Sequence, residues 1–217
     1  GVDAVPEHTV NLKPFYIDKY EITNADYKGF MAATGRPAMN LWGPEWADEY
    51  PPMRDSDPAS DLTWHDADEY CRWAGKRLPT EDEWEKAARG TDGRKFPWGN
   101  EWKKDIANTM RYSMSRQIAG DRRYTHTVAP TGTFKGDVSP YGVYDMAGNV
   151  MEWTDSWYKP YPGSDLKRDA FGEKLRVMRG GSWMADVPPF SFTFNRHMSA
   201  PDAEDPHFGA RCAMDAE

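Results

Sequence analysis

Three observations predict an α+β fold rich in loops. Three helical patterns, each with its own start and stop, fall in the first half of the chain. Beyond Gly90 that periodicity gives way to short apolar runs punctuated by Gly, Pro, Asn and Asp. Apolar residues make up only 39% of the 217 residues, yet ten Trp, eleven Tyr and nine Phe offer large buried areas, so the expected core is aromatic. The length suits a single domain over residues 1–217, with ample chain to bury a core.

The first helix is placed by Thr23 and Asp26, spaced as a capping box. Tyr27, Phe30 and Met31 share one face, and Gly35 followed by Pro37 ends the pattern. In the second, Ala67, Tyr70, Cys71 and Ala74 follow the i, i+3, i+4, i+7 rule and stop at Gly75, which points Cys71 toward the core. A Lys-Arg-Leu-Pro turn leads to the third, where Thr80 and Glu83 form another capping box ahead of Trp84, Ala87 and Ala88, with Gly90 as the stop. Asp55 to Asp61 and Tyr161 to Arg168, polar and turn-rich, are the expected exposed loops. Trp42 to Trp46 and Trp98 to Trp102 echo each other, but two copies without a sustained period do not make a repeat protein.

A net charge of -8 opposes a nucleic-acid role, because phosphate binding needs a concentrated excess of Lys and Arg. Mean hydropathy is -0.86, and no run approaches the roughly 18 apolar residues needed to cross a bilayer. Gly1 to His8 carries neither the basic start nor the apolar stretch of a signal peptide, so a mature or trimmed chain is expected.

The most informative stretch runs from Gly142 to Trp153 and is followed by Arg179-Gly180-Gly181-Ser182-Trp183. Asp145 and Glu152 are hard carboxylates, and Gly148 between them would let the backbone turn back so that main-chain carbonyls complete an oxygen cage suited to calcium. The same residues also fit an Asp-initiated turn with Glu152 paired to an arginine. The two cysteines, Cys71 and Cys212, are compatible with a disulfide or with two unpaired core thiols. Ser182 follows two glycines but lacks the second glycine and the strand-turn-helix context of a nucleophile elbow. Gly180-Gly181 instead suggests close backbone packing. His65 sits at a capped helix start and His126 in a polar loop, and both read as structural or solvated. His197 and His207, flanking Asp202, Glu204 and Asp205, form the one local cluster worth testing for metal.

From about His8 to Ala213 the chain resembles the formylglycine-generating enzyme family, the sulfatase-modifying-factor domain. Six blocks carry the resemblance in order: Phe15 to Asn24, Trp64 to Trp84, Phe96 to Asn100, Gly148 to Trp153, Arg179 to Trp183 and Phe208 to Ala213. The resemblance implies a loop-rich, C-type-lectin-like architecture, here without the family's usual first strand ahead of His8. It also implies calcium held by Asp145, main-chain oxygens of Gly148 and Val150, and Glu152. A second calcium would begin at Asn108 and Thr109, with further ligands near Asp121 to Thr125. Cys71 and Cys212 match positions that the family joins by a structural disulfide, which in turn implies a periplasmic or secreted location.

The family's catalytic thiols have no counterpart. They follow the Gly-Gly-Ser block in the enzymes, bind copper and oxidise a substrate cysteine, whereas here no Cys stands between Trp183 and Arg211. Copper and formylglycine generation are therefore not expected. The reading is a calcium-stabilised binding or accessory subunit that contacts a protein partner, or a peptide or small-molecule ligand in the vacated cleft. The alternative is a thiol-independent periplasmic oxidoreductase that uses oxygen or non-haem iron.

Overall fold

The computed structural model describes residues 3–37, 54–112, 114, 127–185 and 188–216. Strand β1 spans Phe15–Ile17, followed by helices α1 at Asn24–Thr34, α2 at Trp64–Trp73 and α3 at Glu81–Arg89. The remaining strands are β2 at Met151–Trp157, β3 at Arg176–Arg179, β4 at His197–Ser199, β5 at Phe208–Gly209 and β6 at Ala213–Asp215. Helices α1, α2 and α3 each start with a reciprocal capping box, at Thr23 and Asp26, Thr63 and Asp66, and Thr80 and Glu83. Each box satisfies backbone donors that the first helical turn leaves orphaned. Gly35 ends α1 in the left-handed region at φ 70°, a conformation open to glycine because it has no Cβ.

The second half is organised by a four-stranded sheet in the order β4-β3-β2-β5, with β1 and β6 forming a separate antiparallel pair. Strand β2 is central: it runs antiparallel to β3, with Glu152 opposite Arg179, and parallel to β5, with Glu152 opposite Gly209. Its neighbours come from distant parts of the chain.

The core is aromatic, as the composition predicts. Trp84 and Trp153 are fully buried, Tyr27 is 1% exposed, and Trp64 is buried beside them. Every one of these indoles has a partner for its N–H: Trp64 donates to the Thr154 carbonyl at 2.9 Å, Trp84 to Glu152 at 2.7 Å, and Trp153 to the Leu62 carbonyl at 2.7 Å. Large apolar area is thus buried without stranding a donor. Cys71 on α2 and Cys212 just before β6 are joined as a disulfide across 141 positions.

Two expectations need correction. Asp55 to Asp61 is not an exposed loop throughout, because Asp57, Ala59 and Ser60 are buried. Ala59 donates its N–H to Ile22 at 2.8 Å, Pro58 bridges to Thr23, and the small side chains fit beneath α1. Gly148 does not supply the turn between the two carboxylates. The left-handed residues there are Asp145 and Asn149, with φ of 62° and 68°. Gly148 is needed for space, since a Cβ would overlap the backbone carbonyl of Asn108. Gly181 meets the same constraint against Ala147, in line with the close packing expected of the glycine pair. The Trp42 to Trp46 echo, His126 and Asp121 to Thr125 lie outside the described residues.

Candidate functional site

Strand β2 carries Glu152 into the centre of the molecule, where it is fully buried. Arg211, also fully buried, grips it with a two-pronged fork: Nε donates to Oε2 and Nη2 to Oε1, each at 2.7 Å. Trp84 donates a third bond to Oε2. Arg211 further donates to the carbonyls of Asp18 and Tyr144 at 3.1 and 2.8 Å. The arginine-paired turn, one of the two readings left open by the residues, is therefore present at Glu152.

Three more carboxylates surround this pair. Asp145 accepts from the Gly132 N–H at 2.5 Å through Oδ2. Asp137 accepts from the Ala147 N–H at 3.1 Å through Oδ2, while its buried Oδ1 has no hydrogen-bond partner. Glu21 accepts from Asn149 at 2.7 Å and from the Val150 N–H at 3.3 Å. None of the four acids is more than 2% exposed. Burial, then Asp145 and Glu152, push the Glu21 carboxyl well above the ordinary carboxylate range. Burial and the Asp145 charge do the same to Asp137. Asp145 is pushed up to about 6, chiefly by burial. Four buried acids against one guanidinium leave an excess of negative charge, and a buried charge is paired, protonated or bound to metal.

A calcium ion fits the charge of this place and the unpartnered Asp137 oxygen. It does not fit a cage built from side chains alone: among the described residues, no three His, Cys, Asp or Glu side chains are placed to hold one metal. Main-chain oxygens would have to supply much of the coordination, which calcium accepts readily. The expected set combines the carboxylates of Asp145 and Glu152 with main-chain oxygens of Gly148 and Val150, and both Glu152 oxygens already accept bonds from Arg211 and Trp84.

At the second expected site, Asn108 Nδ2 donates to the Thr127 carbonyl at 3.0 Å and to Asn149 at 2.9 Å, and Thr109 Oγ1 accepts from the Tyr112 N–H at 3.4 Å. Asn108 and Asn149 thereby brace the loop that carries Asp145. Sequence reasoning missed Glu21, Asp137 and the partnership of Arg211. A usable signal existed for Glu21, a lone charge between Tyr20 and Ile22.

His197 and His207 are not assembled into a site. The His197 Nε2 contacts Asn195 at 2.8 Å and the Phe190 carbonyl at 3.2 Å, and burial holds its pKa below the usual value. His207 pairs with Asp205, and its ring meets Trp183 edge-on. His65 is half exposed and lies 3.3 Å from Asp202.

The stretch in place of the family's thiols is framed by a second buried charge network. Arg179 donates to Glu85 at 2.8 Å and to Tyr161 at 3.2 Å, and Arg196 forks onto Glu81 with two bonds of 2.8 Å. Ala185 is buried in this stretch, whereas Met184 and Phe190 are 42% and 43% exposed. Both cysteines of the chain are consumed by the disulfide. A cleft of about 800 Å³ lies between the N-terminal segment and α3. Val10, Leu12 and Phe194 mix there with Asp82, Glu85 and Lys86, so its walls present no single ligand chemistry. Among the described residues, no helix is long and apolar enough to cross a membrane.

Residues 2–216 match the sulfatase-modifying factor enzyme 1-like domain family. The chain is 31% identical over 254 residues to the inactive C-alpha-formylglycine-generating enzyme 2 of Mus musculus, covering 97% of this chain and 78% of that protein. It is 33% identical over 270 residues to the formylglycine-generating enzyme of Thermomonospora curvata, covering 98% and 88%. The structure of PvdO from Pseudomonas aeruginosa superposes with a TM-score of 0.74 at 27% identity, over 99% of this chain and 85% of that one. Treponema denticola variable protein 1, at TM-score 0.74 and 22% identity over 96% and 87% of the two chains, shares the fold.

Proposed function

The chain belongs to the sulfatase-modifying factor enzyme 1-like domain family, and from that premise we propose that it is a calcium-stabilised, extracytoplasmic binding or accessory domain without formylglycine-generating activity. One observation carries this reading: the full sequence contains no thiol outside the Cys71–Cys212 bridge. Formylglycine formation by the family's route needs reactive cysteines that bind copper and oxidise the substrate cysteine, and thiolate is the soft ligand that copper(I) requires. With both cysteines in the bridge, that chemistry has no thiolate to start from. The exposed Met184 and Phe190, close to the position of the lost thiols, favour contact with a partner or peptide over chemistry.

Calcium would be held by Asp145, the main-chain oxygens of Gly148 and Val150, and Glu152. The residues around it act whether or not the ion is bound: Arg211 and Trp84 fix the Glu152 carboxylate, and Asn149 orients Glu21. The same reading extends to a second calcium at Asn108 and Thr109. The disulfide supports an oxidising compartment, periplasmic or secreted.

Incubation with a cysteine-containing sulfatase peptide, with and without copper, is the direct test, read by mass spectrometry alongside metal analysis of the purified protein. The expected result is an unmodified peptide and calcium as the bound metal. Conversion of the peptide would overturn the reading. A redox metal near one equivalent would transfer the protein to the thiol-independent oxidoreductases.

A further inference from the structure

The segment Phe190-Ser191-Phe192-Thr193-Phe194 has inverted polarity. Ser191 and Thr193 are 1% and 0% exposed, while Phe190 is 43% exposed and Phe192 and Phe194 remain partly exposed. The inversion has a local cause. Thr193 donates its N–H to the Lys95 carbonyl and its hydroxyl to the Arg94 carbonyl, both at 2.9 Å, and its own carbonyl accepts from buried Arg179 at 3.3 Å. Those bonds require Thr193 to point inward, whereas the Ser191 hydroxyl is buried without a hydrogen-bond partner among the described residues. A 3-10 turn covers Pro188–Ser191, and the Asn195 N–H closes a further turn onto the Phe192 carbonyl at 2.9 Å, and along this winding path the phenylalanines are left facing out.

Phe192 and Phe194 join a second aromatic set, while the Phe190 ring just before them lies 6.0 Å from that of His197. Phe96 touches Phe192 at 5.2 Å, Trp98 at 5.1 Å and Trp102 at 5.4 Å, and Phe192 touches Phe194 at 5.0 Å. Only Phe96 of this group is buried; Trp98, Trp102, Phe192 and Phe194 keep part of their rings open to solvent. The Trp98 N–H is already used by the Glu101 carbonyl at 2.9 Å, so the indole offers its apolar face.

Charge distinguishes this face from the rest of an acidic molecule. Arg89 and Arg94 beside it are neutralised by Glu85 and Asp92. Lys95, Lys103 and Lys104 are exposed, and no carboxylate partners them among the described residues. Lys103 and Lys104 share a cavity of about 480 Å³ with Lys135, Tyr112, Phe134 and one acid, Asp105. Glu101 and Asp105 are the acids within the same stretch of chain. An apolar ridge with an unpaired basic border complements a partner of opposite charge and similar apolar character.

We propose that this face, formed by Trp98, Trp102, Phe190, Phe192 and Phe194 and bordered by Lys95, Lys103 and Lys104, docks a partner polypeptide segment in which acidic residues flank aromatic or aliphatic ones. The proposal rests on the binding-domain reading and names where and with what chemistry the binding occurs. The rings fill the segment's apolar contacts, and the lysines select its charge and speed its approach.

The test is selection of displayed random peptides on the intact, disulfide-bonded chain, with the Phe190→Ser/Phe192→Ser variant as counter-selection. Phe190→Ser alone serves if the double variant fails to fold. The expected pool combines Asp or Glu with Phe, Trp, Leu or Ile. A synthesised winner should lose about tenfold in affinity on Lys103→Glu/Lys104→Glu, mainly through slower association, and should weaken with salt. A basic pool, no enrichment over the counter-selection, or an affinity indifferent to the lysine variant would overturn the proposal. So would a dimer in solution that Phe190→Ser dissolves, because the face would then belong to a second copy. These failures leave the binding-domain reading intact, since that reading falls to a redox metal or to peptide conversion.

Discussion

Asp61 holds a left-handed backbone with φ of 61°, unusual for a residue with a Cβ. Burial, then the charges of Glu204, Asp205 and Asp66, push its carboxyl up to about 6 from an ordinary value of 3.8. A carboxyl whose pKa is raised on folding favours the native state most below its unfolded pKa. That contribution is lost as pH rises through the folded value. Asp61→Asn keeps a side chain that tolerates the left-handed region and removes the repulsion. The variant should exceed wild type above about pH 6 by ~1 kcal/mol, a figure reduced for solvent screening at a half-buried site, with the gain vanishing toward pH 4. Urea denaturation at several pH values checks this, and a pH-independent difference would remove the electrostatic explanation. At the same scale, Asp145 and Glu152 were legible in the sequence because they stand in a dense motif. Arg211 as the partner of Glu152 was not, because the two are separated by 59 positions and spacing carries no information at that range.

Helices and strands differ in how far their causes extend along the chain. Each helix is specified by a threonine and an acid three residues later, so the α1 and α3 starts could be read directly from the sequence. The strands could not. Strand β5 is two residues long and β4 three, and their pairing with β2 and β3 depends on residues far away in sequence. Asp55 to Asp61 was misjudged for the same reason: its polar composition describes a loop, while its burial comes from backbone pairing with Ile22. The disulfide is the strongest tie between elements, linking α2 to the approach of β6. Closing a loop of 141 positions would contribute about 5 kcal/mol in the chain-entropy picture. Cys71→Ser/Cys212→Ser should therefore lose about 2 to 5 kcal/mol, measured by denaturant unfolding. An intact mass equal to the dithiol form in protein exported under oxidising conditions would reject the bridge itself.

Across the whole molecule, the acid cluster joins parts that no single element connects. Glu21 precedes α1, Asp137 and Asp145 belong to the central loops, Glu152 is the second residue of β2, and Arg211 lies between β5 and β6. Family resemblance made the architecture and the Asp145 to Glu152 motif legible. It did not reveal that the four acids would meet around a single arginine, because that convergence exists only in three dimensions. If calcium completes the charge balance, it stabilises the native chain by differential binding, about 2.7 kcal/mol at a hundredfold excess over its dissociation constant. Chelation should then lower the melting temperature of wild type. Asp145→Gly is the informative variant, because glycine keeps the left-handed turn at that position while removing the carboxylate. Glu152→Ala is less clean: it would also strand the fully buried Arg211, a loss typically of about 3 to 5 kcal/mol. Asp145→Gly should lose the share of that response due to this site and keep only what an ion at Asn108 and Thr109 contributes, and terbium titration of wild type should report the number of sites. Equal chelator responses in the two proteins would remove calcium from this place and leave protons on Glu21, Asp137 and Asp145 to balance the charge.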